Sequence, residues 1–186
     1  MAKIRREEII DVGLALLDEI GLDALTTRKL ALRLGVESPT LYWHFSTKAA
    51  LMSAMALEMV ARHHVLPVAD NTDRWADWLG DNARSFRAAL LACRDGARLH
   101  AGSTPESDAE ANILLKIAYL RRAGFLETDA RLALLTTGQF ALASALEQQA
   151  HEAAPAGSGA LAYDAETAFG FGLDAMIDGL RLRLAR

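Results

Sequence analysis

Apolar residues recur at helical spacing along most of the chain, and the polar residues between them mark where each helix should begin and end. Ile9, Gly13, Leu16, Leu17 and Ile20 form one stripe, followed by Gly21 where a left-handed C-cap would sit. Thr26 can cap a short helix from Thr27 to Leu34 that ends at Gly35. Ser38 can cap another with Pro39 at its first position, where the missing N–H costs nothing. Ser46 or Thr47 next caps a helix to about His64, with Leu51, Met55 and Met59 on one face. Beyond Pro67, Asp73 opens a helix through Trp75, Trp78, Leu79, Asn82, Phe86 and Leu90, and a short segment from Arg94 to His100 ends at Gly102. Ser107 and Glu110 make a capping box for a helix to about Ala123, closed by Gly124. Thr128 starts a long helix to about Glu152, residues 153–159 read as a flexible break, and a last helix from about Asp164 repeats Phe169, Leu173, Met176, Ile177, Leu180 and Leu184. No alternating β-branched run interrupts this pattern, so the expected fold is all-α.

Composition narrows the setting. The 186 residues are 52% hydrophobic and carry a formal net charge of −4, which argues against a histone-like wrapper. No apolar run approaches the ~20 residues that span a bilayer. The stretch Lys3-Ile4-Arg5-Arg6-Glu7-Glu8 lacks the apolar core of a signal peptide behind it. Cys93 stands alone, which excludes an intrachain disulfide and a cysteine zinc cluster. A cytoplasmic protein without a membrane partner is expected. Charge is unevenly spread: residues 26–48 hold Arg28, Lys29, Arg33 and Lys48 against Glu37 alone, a local excess of positive charge in an acidic protein.

Two short helices joined at Gly35, behind a supporting helix and carrying that excess, have the layout of a helix-turn-helix. Leu41 would face the interior of the second helix, leaving Ser38, Thr40, Tyr42, Trp43 and His44 for the other faces. Thr27 and Lys48 suit phosphates, and the planar fork of Arg28 suits the O6 and N7 of guanine. Glycine-turn hairpins are common, so periodicity alone leaves an ordinary three-helix subdomain open. Further on, Asn82 shares a stripe with tryptophan and phenylalanine, where an unpaired buried amide would cost roughly 1–3 kcal/mol. A backbone carbonyl in the core is the plain partner for it, and His64 and His100 taken singly are ordinary structural histidines. No His-Glu-x-x-His spacing occurs, so any metal would need ligands from outside the chain, as magnesium with its oxygen donors and waters permits. Gly-x-Ser-x-Gly turns, glycine-rich phosphate loops and paired-carboxylate motifs are likewise missing from the sequence, and no enzymatic activity is expected. A helical adaptor dimerising through residues 128–184 without DNA is the remaining non-enzymatic alternative.

The words Leu25-Thr26-Thr27-Arg28-Lys29-Leu30-Ala31 and Leu34-Gly35-Val36-Glu37-Ser38-Pro39-Thr40-Leu41-Tyr42-Trp43-His44-Phe45 resemble the DNA-binding head of the TetR family of transcriptional repressors. Arg62-His63-His64, Asn82-Ala83-Arg84-Ser85-Phe86-Arg87, Arg94-Asp95-Gly96-Ala97-Arg98-Leu99-His100 and Phe169-Gly170-Phe171-Gly172-Leu173 extend the likeness over most of the chain. The resemblance implies a helix-turn-helix head over residues 1–46, a ligand-binding and dimerisation core over 47–186, a homodimer on a palindromic operator, and release by a small-molecule inducer. Its DNA-facing set is Thr27, Arg28, Ser38, Pro39, Thr40, Tyr42, Trp43, His44 and Lys48. In the family's tetracycline-binding members, residues matching His64, Asn82 and Phe86 contact the drug, and the one matching His100 holds the magnesium that the drug chelates. Ser103 replaces a threonine there, and Glu147 of the partner subunit matches a residue that holds a magnesium-bound water.

Four departures qualify what is implied. Ser38 replaces a glutamine that could make a bidentate contact to adenine, so the operator should differ. Lys116 stands where a glutamine bonds the drug, and Arg131 where the wall is apolar. If both cations face the cavity they favour a more anionic, metal-free ligand; alternatively Lys116 snorkels out to water. The region after Glu152 is shorter than in the family by about twenty residues and lacks the helix expected to act as a lid.

Overall fold

The computed structural model describes residues 4–65, 67–68, 70–104, 107–155 and 164–185, with the side chains of 107–109 excepted. Among these residues the chain forms nine helices and no strand: α1 (Arg6–Ile20), α2 (Thr27–Leu34), α3 (Ser38–Tyr42), α4 (Lys48–His63), α5 (Trp75–Leu91), α6 (Gly96–Ala101), α7 (Ser107–Arg122), α8 (Glu127–Glu152) and α9 (Ala165–Leu184). No helix among them is long and apolar enough to cross a membrane.

Most helix signals sit where the periodicity places them. Thr26 accepts a hydrogen bond from the Lys29 N–H and caps α2, and Gly35 ends it in the left-handed conformation at φ 67°. Thr47 accepts from the Ala50 N–H at the start of α4, and Asp164 from the Thr167 N–H at the start of α9. Elsewhere the boundaries shift. Ser38 is the first helical residue of α3 and Glu37 its N-cap, because a proline lacking its N–H is tolerated anywhere in the first turn. The short helix begins at Gly96, not Arg94: Asp95 takes a left-handed φ of 56° and so cannot continue a helical run from Arg94. The Ser107 half of the expected capping box and residues 156–159 of the expected break lie outside the described residues.

The chain divides into two compact units, residues 1–63 with 89–105, and residues 64–88 with 106–186. This grouping by packing is not the same division as the expected head over residues 1–46 and core over 47–186. In the first unit Ile9, Leu17, Leu25, Leu30, Leu41, Leu51, Met55, Met59 and Leu90 are buried. Here α6 packs closely: a Cβ on Gly96 would lie 2.5 Å from the Leu90 carbonyl oxygen and 2.9 Å from Met59 Sδ. In the second unit Trp78, Leu79, Ile117, Tyr119, Leu120 and Phe125 form one cluster, and Ala83, Ala141, Phe169, Leu173 and Ile177 another. Close approach of α8 and α9 occurs at Gly172, where a Cβ would meet the Phe140 ring at 2.5 Å. Gly138, also on α8, has nothing within 4 Å of an added Cβ.

Candidate functional site

The first unit carries a surface suited to a nucleic acid. Leu41, 2% exposed, anchors α3 in the core, and the Val36 N–H donates to the Ala31 carbonyl, closing the turn after α2. This orientation leaves Arg28, Pro39, Tyr42 and Trp43 exposed, with Thr27, Ser38, Thr40 and His44 partly so. Trp43 is 89% exposed, an unusual position for a large aromatic ring without a partner. Lys48 Nζ donates to the Leu25 carbonyl at 3.0 Å, which holds its ammonium beside the residue preceding the α2 cap. One cation of the local excess is spent within the fold: Arg33 pairs with Glu19 on α1, and this pairing lowers the Glu19 carboxyl below its ordinary range.

Behind that surface, α6 is fastened to the end of α1 and the turn before α2. Asp95 accepts from the Leu22 N–H at 2.8 Å, Asp18 accepts from the Arg94 N–H at 2.8 Å, and Arg98 donates to Asp23 at 2.7 Å and to Asp95 at 3.1 Å. Arg94 Nη1 also donates to the Glu19 carbonyl at 3.3 Å. The clamp was not expected from the sequence, where its one local signal is the dipeptide Asp95-Gly96, which favours a sharp turn. His100 lies on the same short helix, half-buried, and desolvation lowers its imidazole below the ordinary range, so it is neutral at pH 7. Ser103 Oγ donates to the His100 carbonyl at 2.7 Å.

The second unit gathers the other expected ligand residues. Asn82, Ser85 and Phe86 follow at i, i+3 and i+4 on one side of α5. His64 meets Phe86 edge-on at 5.7 Å between ring centres, and its Nδ1 lies 3.0 Å from Ser85 Oγ. Its Nε2 lies 2.8 Å from Lys116 Nζ. An ammonium only donates, so Nε2 must be the acceptor and the imidazole proton sits on Nδ1, donating to Ser85. Burial and the neighbouring Lys116 charge lower the His64 pKa to about 4, and burial lowers that of Lys116 to about 8. Lys116 does not snorkel to water as one expectation had it: it is 8% exposed, because its position on α7 adjoins the buried Ile117, Tyr119 and Leu120. Arg131, by contrast, is exposed and pairs with Glu127 at 3.6 Å. A backbone carbonyl, the plain partner expected for Asn82, could pair only with its amide N–H, and Asn82 Oδ1 is buried with no hydrogen-bond partner.

The described residues contain no group of three or more histidine, cysteine or acidic side chains that could hold a metal ion by themselves. Glu147 is exposed on α8. A groove of about 590 Å³ between α8 and α9 is lined by Leu126, Leu132, Met176, Leu180 and Leu184 among others, and by none of the expected ligand residues.

Comparison with known proteins adds a family to this geometry. Residues 9–55 match the family model described as bacterial regulatory proteins, tetR family, and residues 66–160 match the tetracyclin repressor-like C-terminal domain. The tetracycline repressor protein class G of Vibrio anguillarum is 40% identical over 205 aligned positions that cover 100% of this chain and 98% of that protein. A TetR variant from Acinetobacter baumannii, solved in complex with minocycline, superposes with a TM-score of 0.86 at 43% identity, covering 97% of this chain and 98% of the other. TetR of class A, solved with 5a,6-anhydrotetracycline and magnesium, gives a TM-score of 0.80 at 43% identity, with 93% and 95% of the two chains covered.

Proposed function

Since the chain belongs to the TetR family of bacterial regulatory proteins, and is a regulator and not an enzyme, we propose that it is a ligand-responsive repressor that binds a palindromic operator as a homodimer and is released by a tetracycline-like polyketide. On the DNA side, Arg28 reads a base edge in the major groove, Thr40 and Tyr42 contact bases or backbone, and Lys48 holds a phosphate. Thr27, Ser38, Pro39, Trp43 and His44 complete the surface. Arg28→Ala should cost about 1–3 kcal/mol at one base-pair position, whereas Lys48→Ala should weaken every sequence alike and flatten the salt slope. Dimerisation through α8 and α9 is supported by their exposed apolar residues, Leu126, Leu132, Leu135, Phe171 and Leu182, and by the groove between the two helices.

The observation that carries the ligand half is Asn82 Oδ1, a buried acceptor that the fold leaves unpaired. Such an atom costs about 1–3 kcal/mol unless a donor arrives, and a ligand O–H or N–H is the donor we assign to it. His64, Phe86 and Lys116 are the other drug contacts in the second unit. His100 and Ser103 keep the metal-side role that the resemblance implies, with Glu147 of the partner subunit. Magnesium, when bound with the drug, would supply a fixed positive centre for the drug's chelating oxygens. The neutral, half-buried imidazole of His100 would hold it through one nitrogen, and the absence of a protein-only cluster among the described residues suits an ion that arrives with its chelator. Force applied at His100 is passed along α6 to Asp18, Leu22 and Asp23, so the clamp connects that residue to the head within one unit. A few kcal/mol of differential affinity between two head arrangements suffices to release DNA.

A second reading is favoured by one observation. Lys116 is buried while Arg131 is not, so a single cation, not two, faces the cluster, and a metal-free aromatic or anionic inducer fits it as well. The test is an operator chosen by selection from random duplexes, then release measured by fluorescence anisotropy with tetracycline, with and without magnesium. Release that needs magnesium and is lost in His100→Ala supports the chelate; release indifferent to chelator supports the second reading.

A further inference from the structure

Lys116 is a buried cation hydrogen-bonded to a neutral base. Its ammonium donates one hydrogen to His64 Nε2, no ion pair of the described residues includes it, and the residue is 8% exposed. Compare Arg87 in the same unit, equally buried but bonded to Glu166, Gln148 and Ser144. A protein that hides a charge supplies it with a carboxylate and full hydrogen bonding, because an uncompensated buried ion is costly. Arg87 follows that rule and Lys116 breaks it. The same cluster contains Asn82 Oδ1, an acceptor without a donor. Spare ammonium hydrogens on α7 and a spare amide oxygen on α5 therefore accompany His64 and Phe86 in one unit, and the fold does not bond one to the other.

We propose that Lys116 is the specificity-determining residue of this site, selecting a ligand that presents an anionic oxygen, such as an enolate, phenolate or carboxylate, to the ammonium and an adjacent hydroxyl or amide N–H to Asn82. Phe86 supplies an apolar face for the ring that carries both groups. The inference rests on the reading that His64, Asn82 and Phe86 contact the inducer, and it holds with or without a metal at His100. Charge-assisted hydrogen bonds made away from water discriminate strongly, because a neutral isostere leaves the ammonium unpaired.

The experiment is calorimetric titration of the full chain with 3-hydroxy-2-naphthoate and with its methyl ester, which keeps the ring and hydroxyl but removes the anion. Wild type should bind the acid about tenfold or more tightly than the ester. In Lys116→Gln the ratio should fall to near one with ester binding retained, and Lys116→Arg should keep most of the preference. Thermal melts of each variant confirm that it folds. Equal affinities in wild type, a ratio unchanged by Lys116→Gln, or no binding of the acid up to about 1 mM overturns the proposal. Operator binding by the same preparations separates the two readings: DNA bound and released normally with no acid preference sinks only the role of Lys116, whereas failure to bind any operator sinks the repressor reading.

Discussion

The clamp on α6 and the cluster around His64 use the same kinds of side chain to opposite ends. In the clamp, Asp95, Arg98, Asp23, Arg94 and Asp18 lie mostly at the surface, and each polar group meets a partner of its own unit. In the cluster, Lys116 and Asn82 are buried and their bonding is incomplete. Exposed ion pairs add little stability, so the clamp's use is to fix geometry between α6 and the head's turn. Buried groups left short subtract stability, and under the proposed function a bound molecule completes them.

The strongest way to break the clamp is Gly96→Val, which drives side-chain atoms into the Leu90 carbonyl and Met59 Sδ. A loss of roughly 2–4 kcal/mol in denaturant unfolding is expected, since neither backbone nor the packed sulfur can yield freely. Asp95→Ala should cost less, about 1–2 kcal/mol, by unpairing the Leu22 N–H and removing one partner of Arg98. Its sharper effect should be on coupling: ligand still binds, but a higher concentration is needed to release operator.

Lys116→Met tests the other region with the opposite sign. Its pKa is about 8 in the fold against 10.5 for the free side chain, so below pH 8 the charged form is present in both states and the fold bears the penalty. The unfolded chain binds more protons between those values, and wild-type stability therefore rises as pH goes from about 8 to 10.5. Lys116→Met should be the more stable without ligand by about 1–3 kcal/mol at pH 7, with the gap closing over that window. A variant less stable than wild type at pH 7 would show that Lys116 is a structural group. Smallest of all, Arg98→Gln should change stability by less than about 1 kcal/mol once solvent screening is allowed for.

Much of the fold could be read from local chemistry: Thr26 and Gly35 bound α2 because capping hydroxyls and left-handed glycines act within a few residues. The helix-turn-helix followed from two short helices joined at Gly35, and the expected grouping of His64, Asn82 and Phe86 from the family resemblance. The clamp did not, since Arg98 and Asp23 are 75 residues apart and nothing local marks their pairing. Lys116 was legible as an oddity but not as a buried group, because helical periodicity places a residue on a face without saying whether a lysine stem ends in water or in the core. Gly172 escaped for a similar reason: its need for a hydrogen in place of a Cβ is set by Phe140 on another helix.

The central claim is that the unpaired oxygen of Asn82 belongs to a ligand and not to the fold. Anisotropy of a labelled operator, titrated with tetracycline and magnesium against wild type and Asn82→Ala, tests it most directly. The account predicts equal operator affinity for the two proteins, and a shift of the releasing concentration by about 10- to 100-fold in the variant, the equivalent of one lost buried hydrogen bond. Release at the same concentration in both, or an Asn82→Ala protein that no longer folds or binds operator, would contradict it.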